Sequence, residues 1–319
     1  MIRWRILAIF PVALALTLTA CTGGTNAPTT TPSRPSHSST PPVTSSAPTS
    51  TPSATTQAVQ HVVIIVDENK TASSIVGNPD APYLNGLAHD FATATDYSGV
   101  SHPSLPNYLA MTSGTTAGIT NDCNPPGGSC LDTGPNLAQS IDRSGRTWKM
   151  YAESIPSPCA VANTSLYAVK HNPFMYFPSV TRDRGYCDAH VVPYSQFGSD
   201  LATATSLPSF SFISPNLCND MHDCSVATGD AWLASNVPRI LSSPAFTQQR
   251  SLLVVTFDEG DSSNNVVSCI FAGSAARTGT ASATPFTHYS LLRTIEQEWG
   301  LSPLTANDAA ATPMTMLLR

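Results

Sequence analysis

His61-Val62-Val63-Ile64-Ile65-Val66-Asp67 and, far along the chain, Ser251-Leu252-Leu253-Val254-Val255-Thr256-Phe257 are the two stretches whose reading decides the fold. Each is short, apolar, rich in β-branched residues and almost uncharged, which is how a strand buried on both faces of a parallel sheet reads. Each then runs into oxygen-bearing side chains: Glu68 and Asn69 follow Asp67, and Asp258-Glu259-Gly260-Asp261 follows Phe257. Acids so placed lie at the carboxyl edge of the sheet, where open α/β folds bind ligands. If the two strands are central neighbours, Glu68, Asn69, Asp258 and Glu259 converge on one point. Such a group repels itself unless a cation sits among the carboxylates or they share protons. A hard-cation site or a general acid/base site is therefore expected.

The rest of the domain alternates around these strands. Residues 79–92 carry Leu84, Leu87, Ala88 and Phe91 on one helical face, and residues 104–111, 137–143, 231–241 and 288–299 also read as helices, the last of these closing the fold. Residues 146–151, 207–215 and 266–272 read as further strands. The β-α-β alternation favours a mostly parallel sheet with helices on both faces. Residues 121–194, rich in Pro, Gly, Asn and Cys, read as insertions that shape a pocket at the carboxyl edge.

At the start of the chain, Arg3 and Arg5 precede an apolar stretch that ends in Leu18-Thr19-Ala20-Cys21. This has the form of a lipoprotein signal peptide over residues 1–20, with lipidation of Cys21; an ordinary secretory signal is the alternative. Residues 21–57, mostly Ser, Thr, Pro and Ala, cannot bury enough apolar surface to order themselves and read as a disordered tether. Residues 58–319 are long enough for one catalytic domain. The expected location is the cell surface or the extracellular space of a bacterium, with the membrane touched only through the lipid anchor. Eleven per cent of residues are charged, the net charge is −6 and no basic stripe occurs, so nucleic acid is excluded as a partner. An anionic substrate is still compatible, because one local cation inverts the field. A monomer is expected.

Export makes disulfides the default for cysteines. The simplest local pairs are Cys123–Cys130, Cys159–Cys187 and Cys218–Cys224, which leave Cys269 as a buried thiol in an apolar run. A zinc site would want a close Cys-x-x-Cys pair, and none occurs.

Two polar stretches supply candidate chemistry. In Ser101-His102-Pro103-Ser104-Leu105-Pro106-Asn107-Tyr108, two prolines fix the backbone around a serine that would cap a helix. Ser104 is then either a plain N-cap or a nucleophile facing a phosphate held by the helix N-terminus. In Asn219-Asp220-Met221-His222-Asp223 an imidazole sits between carboxylates, which suits a metal ligand, a phosphate contact, a general acid or a solvated loop histidine. His288 stands at the start of a helix, while His61, His89, His171 and His190 are given no role.

Taken in order, residues 61–69, Asn78-Pro79-Asp80-Ala81-Pro82-Tyr83, residues 101–108, residues 219–223 with Gly229-Asp230-Ala231-Trp232-Leu233, and residues 252–259 resemble the bacterial phosphoesterase family of acid phosphatases and phosphatidylcholine-type phospholipases C. The likeness spans essentially residues 61–299. It implies a three-layer α/β/α sandwich with a mostly parallel central sheet, alkaline-phosphatase-like, and a divalent metal ion as cofactor. The substrate implied is a phosphorylated small molecule or a phospholipid headgroup. Carried over by motif, Glu68 and Asn69 are metal or phosphate contacts, Ser104 is the nucleophile, Asp258 and Glu259 are metal ligands, and His222 and His288 are phosphate contacts or proton donors, with His102 as a weaker candidate. Asn107, Asp220 and Asp223 are expected to contact substrate. Glu259 stands where many relatives have aspartate, and Asp67 where relatives carry Met or Glu, so Asp67 is not carried over. An exported acid phosphatase with an acidic to near-neutral optimum is the leading expectation. A phospholipase C-type phosphodiesterase is the rival within catalysis, and a metal-free route through a phosphohistidine at His222 stays open. A solute-binding lipoprotein is the rival outside catalysis, although no internal repeat suggests two lobes.

Overall fold

The computed structural model describes residues 57–261 and 263–319; the expected signal peptide, Cys21 and all but the last residue of the expected tether lie outside them. Among the described residues there are ten strands, β1 (His61–Asp67), β2 (Ala92–Ala94), β3 (Tyr97–Ser98), β4 (Trp148–Ala152), β5 (Val191–Pro193), β6 (Phe210–Ser214), β7 (Ser251–Phe257), β8 (Cys269–Ala272), β9 (Thr280–Ser282) and β10 (Phe286–Thr287). Eight of them form one sheet in the order β5-β4-β6-β1-β7-β8-β2-β9, and β3 pairs with β10. Every pairing is parallel except the two made by β8. β1 and β7 lie side by side at the centre, every residue of both is buried, and their register runs from His61 opposite Ser251 to Asp67 opposite Phe257. That register sets the acids following each strand next to one another.

The main helices are α1 (Pro82–Asp90), α2 (Ser104–Ser113), α3 (Leu137–Arg143), α4 (Val226–Leu241), α5 (His288–Trp299) and α6 (Ala306–Ala310). α1 packs on α4, whereas α2 packs on α3 and α5. The two groups form the outer layers of an α/β/α sandwich, which is what the strand and helix alternation predicted. α2 is buried at every position, and its C-terminal Gly114 has φ 72°, a left-handed turn where an added Cβ would lie 2.2 Å from Asp308 Oδ1. Only glycine fits there.

Some boundaries differ from expectation. The helix expected over residues 79–92 starts at Pro82, where proline suits the first turn, and Ala92 already belongs to β2. Of the strand expected over residues 266–272, only β8 joins the sheet, because Val266 and Val267 make isolated bridges to Ser98 and Thr71 instead. The helix of residues 288–299 is not the last, since α6 follows it. β2, β5 and β9 have three residues each, too few for an alternation to show in sequence. All three expected disulfides are present and Cys269 is a buried free thiol. No helix among the described residues is long and apolar enough to cross a membrane.

Candidate active site

The central register carries straight into the site. The Asp258 amide donates to the Asp67 carbonyl at 3.0 Å, extending the β1–β7 ladder by one rung, and the Glu68 amide donates to the Asp220 carbonyl at 2.7 Å. Asn69 turns the chain away with φ 54°, a left-handed conformation that asparagine tolerates better than most residues. Its amide donates to Asp258 Oδ1 at 3.1 Å and its Nδ2 to Glu68 Oε2 at 3.3 Å. Glu68, Asn69 and Asp258 therefore meet as the strands predicted.

Ser104 joins them, in a different manner from the one expected. Pro103 occupies the N-cap position of α2 and no side chain caps the helix, so Ser104 is its first helical residue rather than its cap. With its hydroxyl released from capping, Ser104 Oγ donates to Glu68 Oε2 at 3.1 Å and lies 3.5 Å from Glu259 Oε1. Its residue is 1% exposed, so this contact is made on a dry floor. Glu259 reaches the serine despite its length, and its other oxygen lies 2.6 Å from His102 Nδ1. Asn107 does not face the site. Its Oδ1 accepts from the Val100 and Ser101 amides and its Nδ2 donates to the Ser101 and Pro103 carbonyls, which uses all four of its hydrogen-bonding positions to brace the loop before Ser104. The expected substrate contact by Asn107 is corrected accordingly.

The histidines sort differently from their sequence company. His222 lies at the site with Nδ1 2.7 Å from Asp223 Oδ1, and its amide donates to Asp220 Oδ1 at 2.8 Å. Asp223 is a rim carboxylate that orients the ring. Asp220 is buried, and its Oδ2 lies 3.2 Å from His171 Nδ1. Both aspartates, expected as substrate contacts, are directed at histidines instead, which is where a carboxylate belongs if an anion is to bind nearby. His171, given no role from sequence, is buried between Asp220 and Glu68 (3.2 Å from Nε2 to Oε1) and stacks on Tyr108, whose hydroxyl donates to the same Glu68 oxygen. Glu68, His171 and His222 can each offer a ligand atom within 4.8 Å of the others. His288 is the opposite case: fully buried, it lies with Nδ1 against the Tyr97 hydroxyl and Nε2 against the Asp258 carbonyl. A carbonyl can only accept, so Nε2 carries the proton and Nδ1 accepts from the tyrosine. Burial lowers its pKa to about 4, and both nitrogens are occupied. His288 braces Asp258, and its one ring proton is spent on that residue's carbonyl.

Sequence reasoning also missed Lys170 and Asp122. Lys170 Nζ donates to Asp122 Oδ2 at 2.9 Å and stands 3.5 Å from His222 Nε2. Asp122 Oδ1 accepts the Leu105 amide at 2.9 Å. Their only sequence signal was membership of the Cys-rich insertion.

Electrostatics decide what this floor can hold. Burial, then the fields of Asp258 and Asp220, push Glu68 well above the usual carboxyl range, and burial raises Asp67 and Asp258 too. Burial raises Asp220 to about 7, and burial with Asp258 and Asp122 raises Glu259 to about 8. His171 is lowered to about 3 by burial and by Lys170. Asp258 Oδ2 and both oxygens of Asp67 are buried without a hydrogen-bond partner among the described residues. Buried carboxylates left unpaired are costly unless a proton or cation offsets them. Glu68, Asn69, Asp258 and Glu259 offer the oxygen donors a hard cation takes, whereas the group of described residues whose ligand atoms all lie within 4.8 Å of one another is Glu68, His171 and His222.

The fold is shared with solved structures of little sequence likeness. A Vibrio parahaemolyticus protein in the alkaline phosphatase superfamily matches with TM-score 0.58 at 10% identity, covering 80% of this chain and 70% of the other. A Pseudoalteromonas sulfatase matches with TM-score 0.54 at 8% identity, covering 82% and 72%. The molecule is an α/β protein with the alkaline-phosphatase-superfamily fold, and its acidic floor and serine sit at the carboxyl edge of that sheet. The phosphoesterase family model matches residues 78–302, and the chain belongs to that family of phosphate-ester hydrolases. The phosphatidylinositol-3-phosphatase of Mycobacterium tuberculosis is 40% identical over 80% of this chain and 81% of that protein. The phosphate-repressible acid phosphatase of Penicillium chrysogenum is 33% identical over 73% of this chain and 58% of that longer protein.

Proposed function

We propose that this phosphoric monoester hydrolase is an exported acid phosphatase that works through a phosphoserine at Ser104. One observation carries the proposal: a buried serine hydroxyl in the first turn of α2 lies 3.1 Å from Glu68 and 3.5 Å from Glu259, with the histidine of a separate loop facing the same floor. A divalent cation held by Glu68, Asn69, Asp258 and Glu259 would neutralise phosphoryl charge and lower the pKa of the attacking hydroxyl. Glu68, which burial drives toward the protonated form, would be kept ionised by that cation, and Ser104 Oγ attacks phosphorus while its proton passes to Glu68 Oε2, which it already touches. His222 Nε2 gives a proton to the departing ester oxygen while Asp223 holds the ring. Water then hydrolyses the phosphoserine by the reverse proton transfers. Catalysis of this kind rests on positioning and charge rather than on elaborate covalent chemistry.

The family and the named activities of its relatives support the monoester reading. Three disulfides suit an oxidising compartment and so support export. Attachment at the cell surface would come from lipid on Cys21, tested by comparing membrane partitioning of the wild type with Cys21→Ala. The catalytic reading is tested on p-nitrophenyl phosphate and its phosphorylcholine ester. Monoester turnover should dominate, Ser104→Ala should lose it by about 10³-fold or more while remaining folded, and rapid quenching should trap phosphate on Ser104. Near-wild-type turnover by Ser104→Ala, or phosphate trapped on His222, would overturn the serine mechanism.

A further inference from the structure

We propose that Lys170 is a catalytic residue that contacts the phosphoryl oxygens, and that Asp122 is a positioning residue that clips it to the N-terminus of the nucleophile helix. This rests on the phosphatase reading of the same site.

Glu68 and Glu259 present carboxyl oxygens to Ser104, with Asp258 behind them, whereas a phosphate monoester arrives as an anion. A fixed positive charge is therefore needed on another side. Lys170 supplies it: its side chain is 18% exposed and its Nζ lies 3.5 Å from His222 Nε2, at the group that faces the leaving oxygen. An ammonium has three donors. One is spent on Asp122 at 2.9 Å, and the protonated Nε2 of His222, 3.5 Å away, can accept none, which leaves two with no protein partner among the described residues.

Lysine is a flexible point charge and loses much rotamer freedom when it must hold one position. Asp122 removes that freedom in a particular way. One of its oxygens takes Lys170 and the other takes the amide of Leu105, the residue next to Ser104. The cation and the nucleophile are thereby referenced to a single carboxylate. Asp122 is itself followed by Cys123, whose disulfide to Cys130 fixes the loop that carries it.

The two oxygens allow the roles to be separated. Asp122→Asn keeps an acceptor for the Leu105 amide but loses the charge that holds Lys170. With p-nitrophenyl phosphate, Lys170→Gln should lower kcat/KM by about 10²- to 10³-fold, the usual cost of removing one preorganised charge-stabilising group. Lys170→Arg, which keeps the charge, should retain clearly more activity than Lys170→Gln. Inhibition by inorganic phosphate should weaken by about 10-fold in Lys170→Gln, since a contact to the bound anion is lost. Asp122→Asn should cost about 10-fold in an otherwise wild-type enzyme and almost nothing in a Lys170→Gln background, because a positioning residue acts only through the group it positions. Thermal melts alongside report folding. The clip is refuted if the two losses simply multiply in the double variant. The catalytic role of Lys170 is refuted if Lys170→Gln stays within about threefold of wild type, or if a folded Lys170→Arg falls as far as Lys170→Gln. A folded wild-type enzyme that turned over no monoester would instead remove the phosphatase reading beneath both.

Discussion

Replacing Glu296 by glutamine should change the pH dependence of stability and leave the chemistry alone. Glu296 lies on α5, wholly buried, where its Oε1 accepts the Leu304 amide at 3.2 Å. Beside it, Asp308 caps α6 and accepts from the Leu304 and Thr305 amides at 2.7 and 2.8 Å and from the Thr305 hydroxyl. On the other side of Glu296, Arg293 Nη1 stands 3.4 Å from Oε2. Burial first, then the charge of Asp308 and a hydrogen bond to it, push Glu296 from the usual 4.5 up to about 8. The sign follows from the raised value: the stabilisation is fully present below the ordinary carboxyl range and is lost as pH rises through about 8. At about 1.36 kcal/mol for each pH unit over which the unfolded chain has released its proton and the folded one has not, moving from pH 5 to pH 8 costs the wild type about 3 kcal/mol through this group. Glutamine imitates the protonated acid and cannot ionise. Other titrating groups are common to both proteins and cancel in the comparison. Urea titrations should therefore find the two within about 1 kcal/mol at pH 5 and the variant ahead by about 3 kcal/mol more at pH 8; for a domain of this size that corresponds to roughly 6–12 °C in Tm. An equal gap at both pH values would refute the assignment of the shared proton.

Three further outcomes are expected. Opening the Cys218–Cys224 bridge with paired serines should cost about 2 kcal/mol from loop closure alone, and activity should fall further than stability because Asp220, His222 and Asp223 lie within that loop; unchanged turnover would separate the loop from catalysis. Asn107→Leu should destabilise by about 3 kcal/mol, since it strands the Val100 and Ser101 amides and two carbonyls, as read from denaturant melts. Exhaustive chelation should lower Tm, and adding back a divalent cation at about 100 times its Kd should restore about 2.7 kcal/mol; a Tm indifferent to both treatments would remove the cation from the Glu68, Asn69, Asp258 and Glu259 floor.

The parts of the site that were legible in the sequence share a physical cause. Glu68, Asn69 and Asp258 directly follow strands whose apolar runs announce them, and a parallel register brings residues one step past two neighbouring strands together without any further information. Ser104 was legible because prolines flank it, but its state was not: the proline takes the cap position, and the serine turns inward to Glu68. His288 and Asn107 were misread because motif membership says nothing about which way a side chain points. One is spent on the Asp258 carbonyl and the other on a loop backbone. His171, Lys170 and Asp122 were missed because they come from long insertions whose course no periodicity records.

By itself, the sequence determined the α/β class, the two central strands and the acids at their ends, since strand burial and the carboxyl-edge rule are local and topological facts. The simplest local pairing of cysteines also matches the three disulfides, although loop length alone does not single out Cys159–Cys187 with its separation of 28 residues. Only the tertiary structure decided which buried polar groups face the reacting centre and which brace the fold. That distinction depends on hydrogen-bond partners far apart in the chain: Asp122 between Leu105 and Lys170, His171 between Glu68 and Asp220, His288 between Tyr97 and Asp258. A side chain's chemistry is written in its residue type, but its charge state and its aim are set by whatever the fold packs against it.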